Sequence, residues 1–577
     1  MQKHPEITRA RLLSFVAQAK LLERMYPEKA PVELMVHAAP DRITHHEALR
    51  GRYRPAKLGQ RFGPKWATHW FKIDLHIPKA WRDQEVHLRW DCSSEACVWH
   101  DGVPMQGLTG TDWSSNLGRP VRSEYQVTPK ARGGEHITLY IEAACNALVS
   151  SEGKDEFLGV LRLAEIARLD RRAWDLHWDV VVLTEIATTL PANSPRGAQA
   201  MFAANAMLNA IDLDDPSTWT RARAIAAKYL SLRNGGGQHR ISAVGHAHID
   251  TAWLWPLAET RRKCYRTFST ALRYMRAYPE YRFVCSQAQQ YAWIERDHPK
   301  LFSEIQKRVK EGRFIPVGGT WVEPDCNIPS GESLIRQFLH GREYFQRVFG
   351  HNCQEFWNPD VFGYSGQMPQ ILRGVGISYF LTQKLGQNQL NPPRHHTFWW
   401  QGIDGSQVLV HFPPADTYLG NCTVAQLQFN VQNYKDLDRS NRSLYLFGYG
   451  DGGGGPTMEM LERLRRCKNV DGLPTIQMQG PREFFPALQK GSRALSTHVG
   501  EIYFENHRGT YTSQARTKFL HRRAEEALHD VECLAALSDD GKTPSELDQV
   551  WQTLLLNEFH DILPGCSITQ VHERSEE

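Results

Sequence analysis

Residues 241–256 read ISAVGHAHIDTAWLWP, an apolar run that changes into a mixed polar and aromatic segment. Two further stretches have the same form, residues 354–369 (QEFWNPDVFGYSGQMP) and residues 443–457 (SLYLFGYGDGGGGPT). Each stretch predicts a buried strand followed by a loop. In each case an aspartate stands just after the strand: Asp250, Asp360 and Asp451. Because the loops after the carboxyl ends of the strands converge on one face of a parallel α/β barrel, we expect these acids to meet in an active site.

The first stretch also suggests a metal site. His248 stands two residues before Asp250. Residues two apart in extended backbone point to the same side, so this imidazole and this carboxylate are able to hold one ion. The same alternation places His246 on that side, and the pattern does not exclude it as the ligand. A buried histidine satisfied by a nearby aspartate is also a common structural arrangement, so an isolated His-x-Asp does not establish a metal site.

The surrounding sequence predicts a multidomain α/β protein. Short apolar runs alternate with helical stretches after residue 238, which is the rhythm of a β/α barrel. The predicted parts are an N-terminal helix and linker (1–57), a β-sandwich (58–155), a helical linker region (156–237), a β/α barrel catalytic domain (238–510) and a helical bundle (511–577).

Composition excludes several classes of protein. The chain of 577 residues is too long for one core, and its 41% hydrophobic and 23% charged residues are ordinary for globular domains. The net charge of only +4 favours neither nucleic acid nor a membrane as a partner. No secretory h-region or membrane-spanning run is visible. The 11 cysteines are scattered without a close CxxC pair and indicate reduced thiols, so we expect a cytoplasmic protein.

Several motifs together resemble the glycoside hydrolase family that includes the class II α-mannosidases, family 38. They are GHAHIDTAWLWP (245–256), FWNPDVFGYSGQMPQ (356–370), GYGDGGGGPT (448–457) and NEFHDILPG (557–565), in the family's order. The segment GGTWVEPDCNIPSGE (318–332) also looks like a family element. The stretch from Phe62 to Trp90 is similar to the cytosolic members of the family. The resemblance implies that the barrel is seven-stranded.

The resemblance also implies a metal centre and a catalytic pair. The four residues that match the family's protein ligands are His248, Asp250, Asp360 and His560. Two imidazoles and two carboxylates suit one divalent ion, zinc or cobalt. Asp360 would also be the nucleophile of a retaining mechanism and Asp451 the general acid/base, with their carboxyl groups roughly 5 to 5.5 Å apart. Without the family, His560 reads equally well as a histidine favoured by the dipole at a helix end.

Further positions match residues that contact substrate in the family. Trp253 and Phe362 match aromatic residues beside the sugar, and Asp325 resembles a residue that hydrogen-bonds substrate hydroxyls. By composition alone, both aromatic residues would be assigned to the core. Asp561 is expected to orient a neighbouring group rather than to bind the ion. Lys384 is expected to be a solvated lysine, although a contact with substrate is the alternative.

The chain departs from the family at its end. Family members usually continue into large β-sandwich domains, whereas this chain stops at Glu577, 17 residues after His560. We therefore expect a truncated helical bundle and no C-terminal β-domains.

The leading hypothesis is a metal-dependent retaining α-mannosidase that acts on mannose-containing oligosaccharides, and the cytosolic subgroup implies free oligosaccharides. The resemblance also allows a homo-oligomer. One alternative is a metal hydrolase of another bond, which would activate water at the ion and would not need Asp451. The other is a truncated, catalytically silent protein that binds carbohydrate or a partner, which predicts mannose binding without turnover.

Overall fold

The computed structural model describes residues 4–39, 41–111, 121–146, 159–538 and 546–577. The helices are α1 (Pro5–Ala17), α2 (Lys20–Met25), α3 (His45–Ala48), α4 (Arg171–Thr189), α5 (Pro195–Ala210), α6 (Thr218–Leu230), α7 (Leu257–Ala277), α8 (Ala288–Asp297), α9 (Pro299–Lys310), α10 (Gly331–Phe349), α11 (Met368–Gly374), α12 (Val424–Gln432), α13 (Met458–Cys467), α14 (Pro481–Gly491), α15 (Ala515–Ala536), α16 (Glu546–Asn557) and α17 (Thr569–Glu576).

The N-terminal strands are β1 (Glu28–Pro31), β2 (Glu33–Ala39), β3 (Arg54–Pro55), β4 (Arg61–Phe62), β5 (Thr68–His76), β6 (Glu85–Asp91), β7 (Glu95–His100), β8 (Val103–Thr109), β9 (Glu124–Thr128), β10 (His136–Ala143), β11 (Gly159–Val160) and β12 (Leu163–Leu169). The later strands are β13 (Arg240–His246), β14 (Phe283–Cys285), β15 (Phe314–Pro316), β16 (Glu355–Trp357), β17 (Tyr379–Leu381), β18 (Thr397–Gln401), β19 (Gln407–His411), β20 (Arg442–Phe447), β21 (Thr475–Met478) and β22 (Thr497–Val499).

Two antiparallel sheets form the predicted N-terminal β-sandwich. Their strand orders are β1-β12-β6-β9 and β3-β2-β5-β10-β7-β8. Along β5, Phe71, Ile73 and Leu75 alternate into the core, because successive side chains of a strand point to opposite faces. Phe71 pairs with Ile141 of β10 in the register. The alternation read from the sequence is therefore confirmed.

The sandwich is larger than the predicted range of 58–155. It begins with β1 and ends with β12, because β1 pairs with β12 and β2 pairs with β5. The strand β1 is mostly exposed, so its residues lack the apolar alternation that identifies a strand in sequence. The helical linker predicted from residue 156 is accordingly occupied by β11 and β12 before α4, α5 and α6 begin.

The segment predicted as a barrel has parallel strands that fall into two sheets. One has the order β15-β14-β13-β20, with β21 also pairing with β13, and the other has the order β16-β17-β19-β18-β22. The pairs within the first sheet are parallel, whereas β18 and β19 are antiparallel. In the described ranges no ladder joins the two sheets. The α/β character is thus confirmed, and a closed seven-stranded barrel is not.

Local signals in the sequence set the ends of the helices that pack on these sheets. In α10, the Ser330 hydroxyl accepts the Ser333 N–H at 3.1 Å, and Gly350 ends the helix with φ +61°. A side-chain oxygen at the N-cap and a left-handed glycine after the last turn satisfy backbone groups that have no partner within the helix.

Helices α15, α16 and α17 occupy the region predicted as a helical bundle. Both α16 and α17 pack against α15, and α16 also packs against α10 of the α/β domain. The segment is therefore helical as predicted, but it docks on the α/β domain, and a separate bundle is not confirmed. No helix within the ranges described has the length and apolar character that crossing a bilayer requires.

Candidate active site

Four buried side chains bring their donor atoms together beyond the strand ends: His248, Asp250, Asp360 and His560. One ligand atom from each lies within 4.8 Å of the others. Nε2 of His248 is 2.8 Å from Oδ1 of Asp250 and 4.0 Å from Oδ2 of Asp360. Nε2 of His560 is 3.6 Å and 4.0 Å from the same two oxygens. The structure thus assembles the set of ligands that the resemblance implies.

The sequence places these side chains through rigid neighbouring elements. His248 and Asp250 follow β13, Asp360 follows β16, and His560 follows α16. The backbone between the first two is fixed because Gln287 and Gln290 both donate to the carbonyl of Ile249, at 2.9 and 2.8 Å. The carboxyl ends of β13 and β16 therefore meet at one face, as predicted.

Glu323 contacts both histidines of this group. Its Oε2 lies 2.9 Å from Nδ1 of His248, and its backbone carbonyl accepts from Nδ1 of His560 at 2.9 Å. Each Nδ1 faces Glu323, so each Nε2 faces the carboxylates. Sequence reasoning missed this residue, although it stands two positions before Asp325 in the segment WVEPD.

The electrostatics of the group are those of a cation-binding site. Burial opposes the charged form of His248, but Glu323 and Asp250 together raise its pKa well above the usual value. Burial likewise opposes ionisation of Asp250, yet His248 and His560 lower the pKa of that carboxyl. Nε2 of His560 is buried and has no hydrogen-bond partner in the described structure. A buried nitrogen beside two carboxylates, with nothing to bond it, fits a divalent ion.

His246, the rival ligand, has other partners. The Trp357 indole donates to its Nε2 at 3.3 Å, and its Nδ1 lies 3.5 Å from the carbonyl of Tyr418. Burial, followed by repulsion from His248, lowers the pKa of His246 to about 3. The structure therefore places His248 in the donor group and His246 behind it, as a neutral core residue.

A cavity of about 270 Å³ opens directly onto this group. All three of the acids that follow strands line it: Asp250, Asp360 and Asp451. Trp253 and Phe362 line it as well, so neither is merely a core residue. The rings of Phe362 and His560 lie 5.6 Å apart, edge to face. The prediction that the three acids converge on one site is confirmed by this geometry.

Lys384 lies inside the site, so the expectation of a solvated lysine is wrong. Its Nζ donates to Oδ1 of Asp360 at 2.8 Å, and it lies 5.1 Å from the centre of the Phe362 ring. Burial opposes its charge, but attraction from Asp360 raises the pKa of this lysine above its usual value. The sequence LTQKL gave no sign of this contact, because the partner is 24 residues away.

Asp451 is held by a hydrogen bond from a residue of another loop, Tyr418. The hydroxyl of Tyr418 donates to its Oδ1 at 2.8 Å. Burial, followed by the charges of Asp360 and Asp451, raises the pKa of Tyr418 well above its usual value, so this phenol is a donor at neutral pH. Tyr418 was missed in the sequence, although it follows β19 and a strand-end position is a signal of function in such folds.

Asp325 and Asp561 both differ from expectation in their relation to the cavity. Oδ1 of Asp325 accepts the backbone N–H groups of Asn327 and Ile328, and the residue does not line the cavity. Asp561, expected to orient a neighbour, does line it. Burial, followed by repulsion from Asp250, raises the pKa of Asp561 to about 7. Of the two carboxyl groups, that of Asp561 is the one exposed to the cavity.

A second group of donors lies outside the cavity and consists of His521, Glu525 and Glu558. His521 Nε2 is 3.1 Å from Glu558, and Glu558 also accepts from Gln337 at 3.0 Å. Glu525 accepts the Ser330 N–H at 2.8 Å and pairs with Arg522. Protein groups already bond these carboxylates, so the cluster ties α15 to the segment that carries His560.

Three family models match this chain in order along the sequence. Residues 30–167 match the alpha-mannosidase jelly roll domain, residues 238–507 match the N-terminal domain of glycosyl hydrolases family 38, and residues 505–577 match the alpha mannosidase middle domain. The chain belongs to glycoside hydrolase family 38. The match to the family 38 N-terminal domain begins immediately before β13 and includes both sheets of the α/β domain.

Similar family 38 members come from several eukaryotes. Alpha-mannosidase 2C1 of Homo sapiens is 44% identical over 594 residues, covering 99% of this chain and 56% of that protein. Alpha-mannosidase G of Dictyostelium discoideum is 41% identical, covering 99% and 54%. The present chain spans about half the length of these relatives. A crystal structure of an alpha-mannosidase from Enterococcus faecalis, 20% identical, aligns with a TM-score of 0.51 over 59% of this chain and 40% of that one, which supports the fold.

Proposed function

We propose that this chain carries the active site of a metal-dependent retaining α-mannosidase. The observation that carries the proposal is one cavity lined by both Asp360 and Asp451. Asp360 also belongs to the buried donor group that contains His248 and His560. A retaining glycosidase needs two carboxyl groups with different roles on either side of the scissile bond. The family membership and the names of the similar proteins support mannose as the sugar.

Asp360 is proposed as the nucleophile. Its Oδ1 accepts from Lys384, and its Oδ2 faces the two histidines at 4.0 Å. The lysine and the histidines therefore face different oxygens of this carboxyl group. An oxygen of Asp360 attacks the anomeric carbon, the bond to the leaving oxygen breaks, and a glycosyl ester forms.

Asp451 is proposed as the general acid and then the general base. It gives its proton to the departing glycosidic oxygen and later takes a proton from the water that hydrolyses the ester. The hydrogen bond from Tyr418 to Oδ1 fixes the orientation of the carboxyl group. Gly452, Gly454 and Gly455, which follow Asp451, have positive φ angles that glycine adopts without strain.

His248, Asp250, Asp360 and His560 would hold one divalent ion, zinc or cobalt. Such an ion supplies a fixed positive charge that orients sugar hydroxyls in the cavity. Glu323 supports this site by holding the Nδ1 side of both imidazoles, at 2.9 Å in each case. A second residue that fixes the orientation of a ligand is a general feature of metal centres.

Substrate recognition is proposed to involve aromatic and acidic residues around the cavity. Trp253 and Phe362 offer apolar surface to the sugar ring. Asp325 was expected to bond sugar hydroxyls, but Asp561 is better placed for that role because it lines the cavity. We retain Asp325 as a support of the loop that precedes α10, since its carboxylate holds two backbone N–H groups there.

The proposed substrates are mannose-containing oligosaccharides, and free oligosaccharides in the cytoplasm are the specific proposal. It rests on similarity to the relatives named above and on the motifs at the N-terminal sandwich. A homo-oligomer is part of the same proposal.

The test is hydrolysis of an aryl α-mannoside by the purified chain after chelation and then after addition of zinc or cobalt, beside the Asp360→Asn variant. Turnover that the metal restores and that the variant lacks supports the proposal. A folded, metal-loaded chain that binds mannose without turnover would replace it with the silent binding function. Turnover of an amide or acetyl substrate that does not need Asp451 would replace it with another metal hydrolase.

A further inference from the structure

The loop that carries Asp451 has an unusual backbone. Asp451 has φ +51°, and Gly452, Gly454 and Gly455 have φ +70°, +84° and +73°. The left-handed region is unfavourable for a residue with a side chain. Backbone bonds between Tyr449 and Gly455, at 3.0 and 2.8 Å, close the loop into a narrow turn with Asp451 near its tip. The position of the carboxyl group therefore depends on what holds this turn from outside.

Arg122, a residue of the N-terminal sandwich, holds one side of the turn. Its Nη2 donates to the carbonyls of Gly455 and Pro456, at 3.3 and 3.0 Å. The side chain is 6% exposed, so these bonds are shielded from water. The Arg122 backbone is itself fixed, because it exchanges two hydrogen bonds with Thr109 at the end of β8, at 3.0 and 3.2 Å.

The turn and the guanidinium are fitted closely to each other. A Cβ added at Gly454 would lie 2.5 Å from Nη1 of Arg122. Real Cβ atoms do not approach other atoms so closely, so only glycine allows this approach without a shift of the arginine. The contact between the sandwich and the loop of Asp451 is thus a packed interface.

A buried ion pair lies below the other side of the turn. Lys263 of α7 donates to Oε2 of Glu95 in β7, and both side chains are at most 4% exposed. A Cβ added at Gly452 would lie 2.7 Å from Cδ of this lysine. The neighbouring Arg262 donates to Glu142 of β10 at 2.8 Å. Charges from α7 and the sandwich therefore pair across the interface on which the turn rests.

From these contacts we infer that the N-terminal sandwich is part of the catalytic apparatus, and that Arg122 is a positioning residue for Asp451. This inference rests on the proposed function, in which Asp451 gives its proton to the leaving oxygen. Arg122 acts only through the turn. Its loss lets the turn relax and moves the carboxyl group away from the leaving oxygen, while Asp360 and the histidines keep their places.

The distinguishing readout is the dependence of kcat/KM on the leaving group, because kcat/KM reports formation of the glycosyl ester and excludes its later hydrolysis, which also uses Asp451. Departure of a poor leaving group needs the proton of Asp451, whereas a dinitrophenolate leaves without it. For Arg122→Ala we expect kcat/KM for an α-mannobiose to fall by about tenfold or more, and kcat/KM for dinitrophenyl α-mannoside to fall by less than about threefold. If Arg122 only stabilised the fold, the substitution would lower kcat/KM for both substrates by the same factor, because it would change only the folded fraction.

Two further variants keep the test decisive if Arg122→Ala does not fold. Arg122→Lys keeps one donor and should recover part of the lost kcat/KM. Gly454→Ala presses on the guanidinium and also strains the turn at φ +84°, and it should give the same selective loss. Arg82→Ala is the matched control, because Arg82 is an exposed residue of the same sandwich that bonds the carbonyl of Arg132 at 3.0 Å.

Comparison with Asp451→Asn separates the positioning role of Arg122 from the acid/base role of Asp451. A selective loss in Asp451→Asn together with an equal or absent effect in the Arg122 and Gly454 variants would overturn the positioning role and leave the proposed function standing. No selective loss in Asp451→Asn would instead remove the acid/base assignment itself, and the positioning role with it.

Discussion

Nζ of Lys384 lies 2.8 Å from Oδ1 of Asp360, in a contact that joins a buried ammonium to the proposed nucleophile. The lysine is largely enclosed, and Asp360 raises its pKa against the opposing effect of burial. The ammonium is therefore charged at neutral pH, and it fixes one oxygen of Asp360 while the other faces the histidines. A buried charge that loses the counter-charge bonded to it is costly, so each member of this pair constrains the other.

Replacing Lys384 by Met should lower kcat/KM for an aryl α-mannoside by about 10- to 100-fold, because a positioned charge-assisted donor is lost beside the nucleophile. Steady-state kinetics with a substrate that has a good leaving group measure the attack by Asp360 without a contribution from the proton of Asp451. Lys490→Met, at an exposed position of α14, is the control. Unchanged kinetics in Lys384→Met would mean that the lysine has no part in orienting Asp360.

Replacing Glu323 by Gln should weaken metal binding by about 10- to 100-fold, the usual effect of losing a partner that orients a ligand. The backbone carbonyl that bonds His560 remains, so of the contacts with the two histidines only the one with His248 is altered. Competition with a chelator for zinc measures the affinity directly. Glu311→Gln, at an exposed surface position, should match the parent chain. Equal affinities in the two variants would show that Glu323 does not support the site.

Replacing Asp451 by Asn should spare the metal and slow mainly substrates with poor leaving groups, by about 100-fold or more, because general acid catalysis contributes on that scale. Parallel measurements of kcat/KM for a mannobiose and for dinitrophenyl α-mannoside provide the comparison, because kcat/KM excludes hydrolysis of the ester, in which Asp451 is the base. Tyr418→Phe removes the hydrogen bond to Oδ1 and should give a smaller loss with the same selectivity. If both substrates were hydrolysed normally by Asp451→Asn, another residue would have to be the acid.

Glu355 gives a prediction about stability and pH. It is 2% exposed, and burial raises its pKa to about 7 despite a backbone hydrogen bond from Gln354 that opposes the shift. The unfolded value is about 4.3. Between these values the native chain holds a proton that the unfolded chain has lost, so this group makes the free energy of unfolding fall as pH rises to about 7.

Glu355→Gln removes that titration. The variant should gain on the order of 1–3 kcal/mol relative to the parent at pH 8, and much less at pH 5. Denaturant unfolding at the two pH values measures the difference. Glu526→Gln, at an exposed position of α15, should shift stability equally at both. A pH-independent effect of Glu355→Gln would contradict the burial of a protonated carboxyl group.

The strand-end acids could be predicted from the sequence because the signal is local. A buried apolar run stops, and polar residues soon after it lie in the loop that follows the strand, as Asp250, Asp360 and Asp451 do. The contributions of Lys384 and Glu323 could not be predicted in this way. Their roles come from contacts with residues 24 and 75 positions away, and nothing in LTQKL or WVEPD distinguishes a buried charge from a solvated one.

In the N-terminal sandwich, too, some features could be predicted from the sequence and others could not. The long strands β5 and β10 alternate clearly and were predicted, whereas the short, exposed β1 was not. The role of Arg122 depends on a contact with a loop more than 300 residues later in the chain. Such long-range packing leaves no periodic trace in the sequence.

The most direct measurement is the identification of the covalent intermediate. The metal-loaded chain would be incubated with a fluorinated α-mannosyl fluoride, in which the fluorine slows breakdown of the glycosyl ester, and then digested for peptide mass spectrometry. We predict one mannosyl adduct, on the peptide that contains Asp360, and none in Asp360→Asn. An adduct on another carboxylate, or rapid turnover with no adduct at all, would contradict the assignment of Asp360 as the nucleophile of a retaining mechanism.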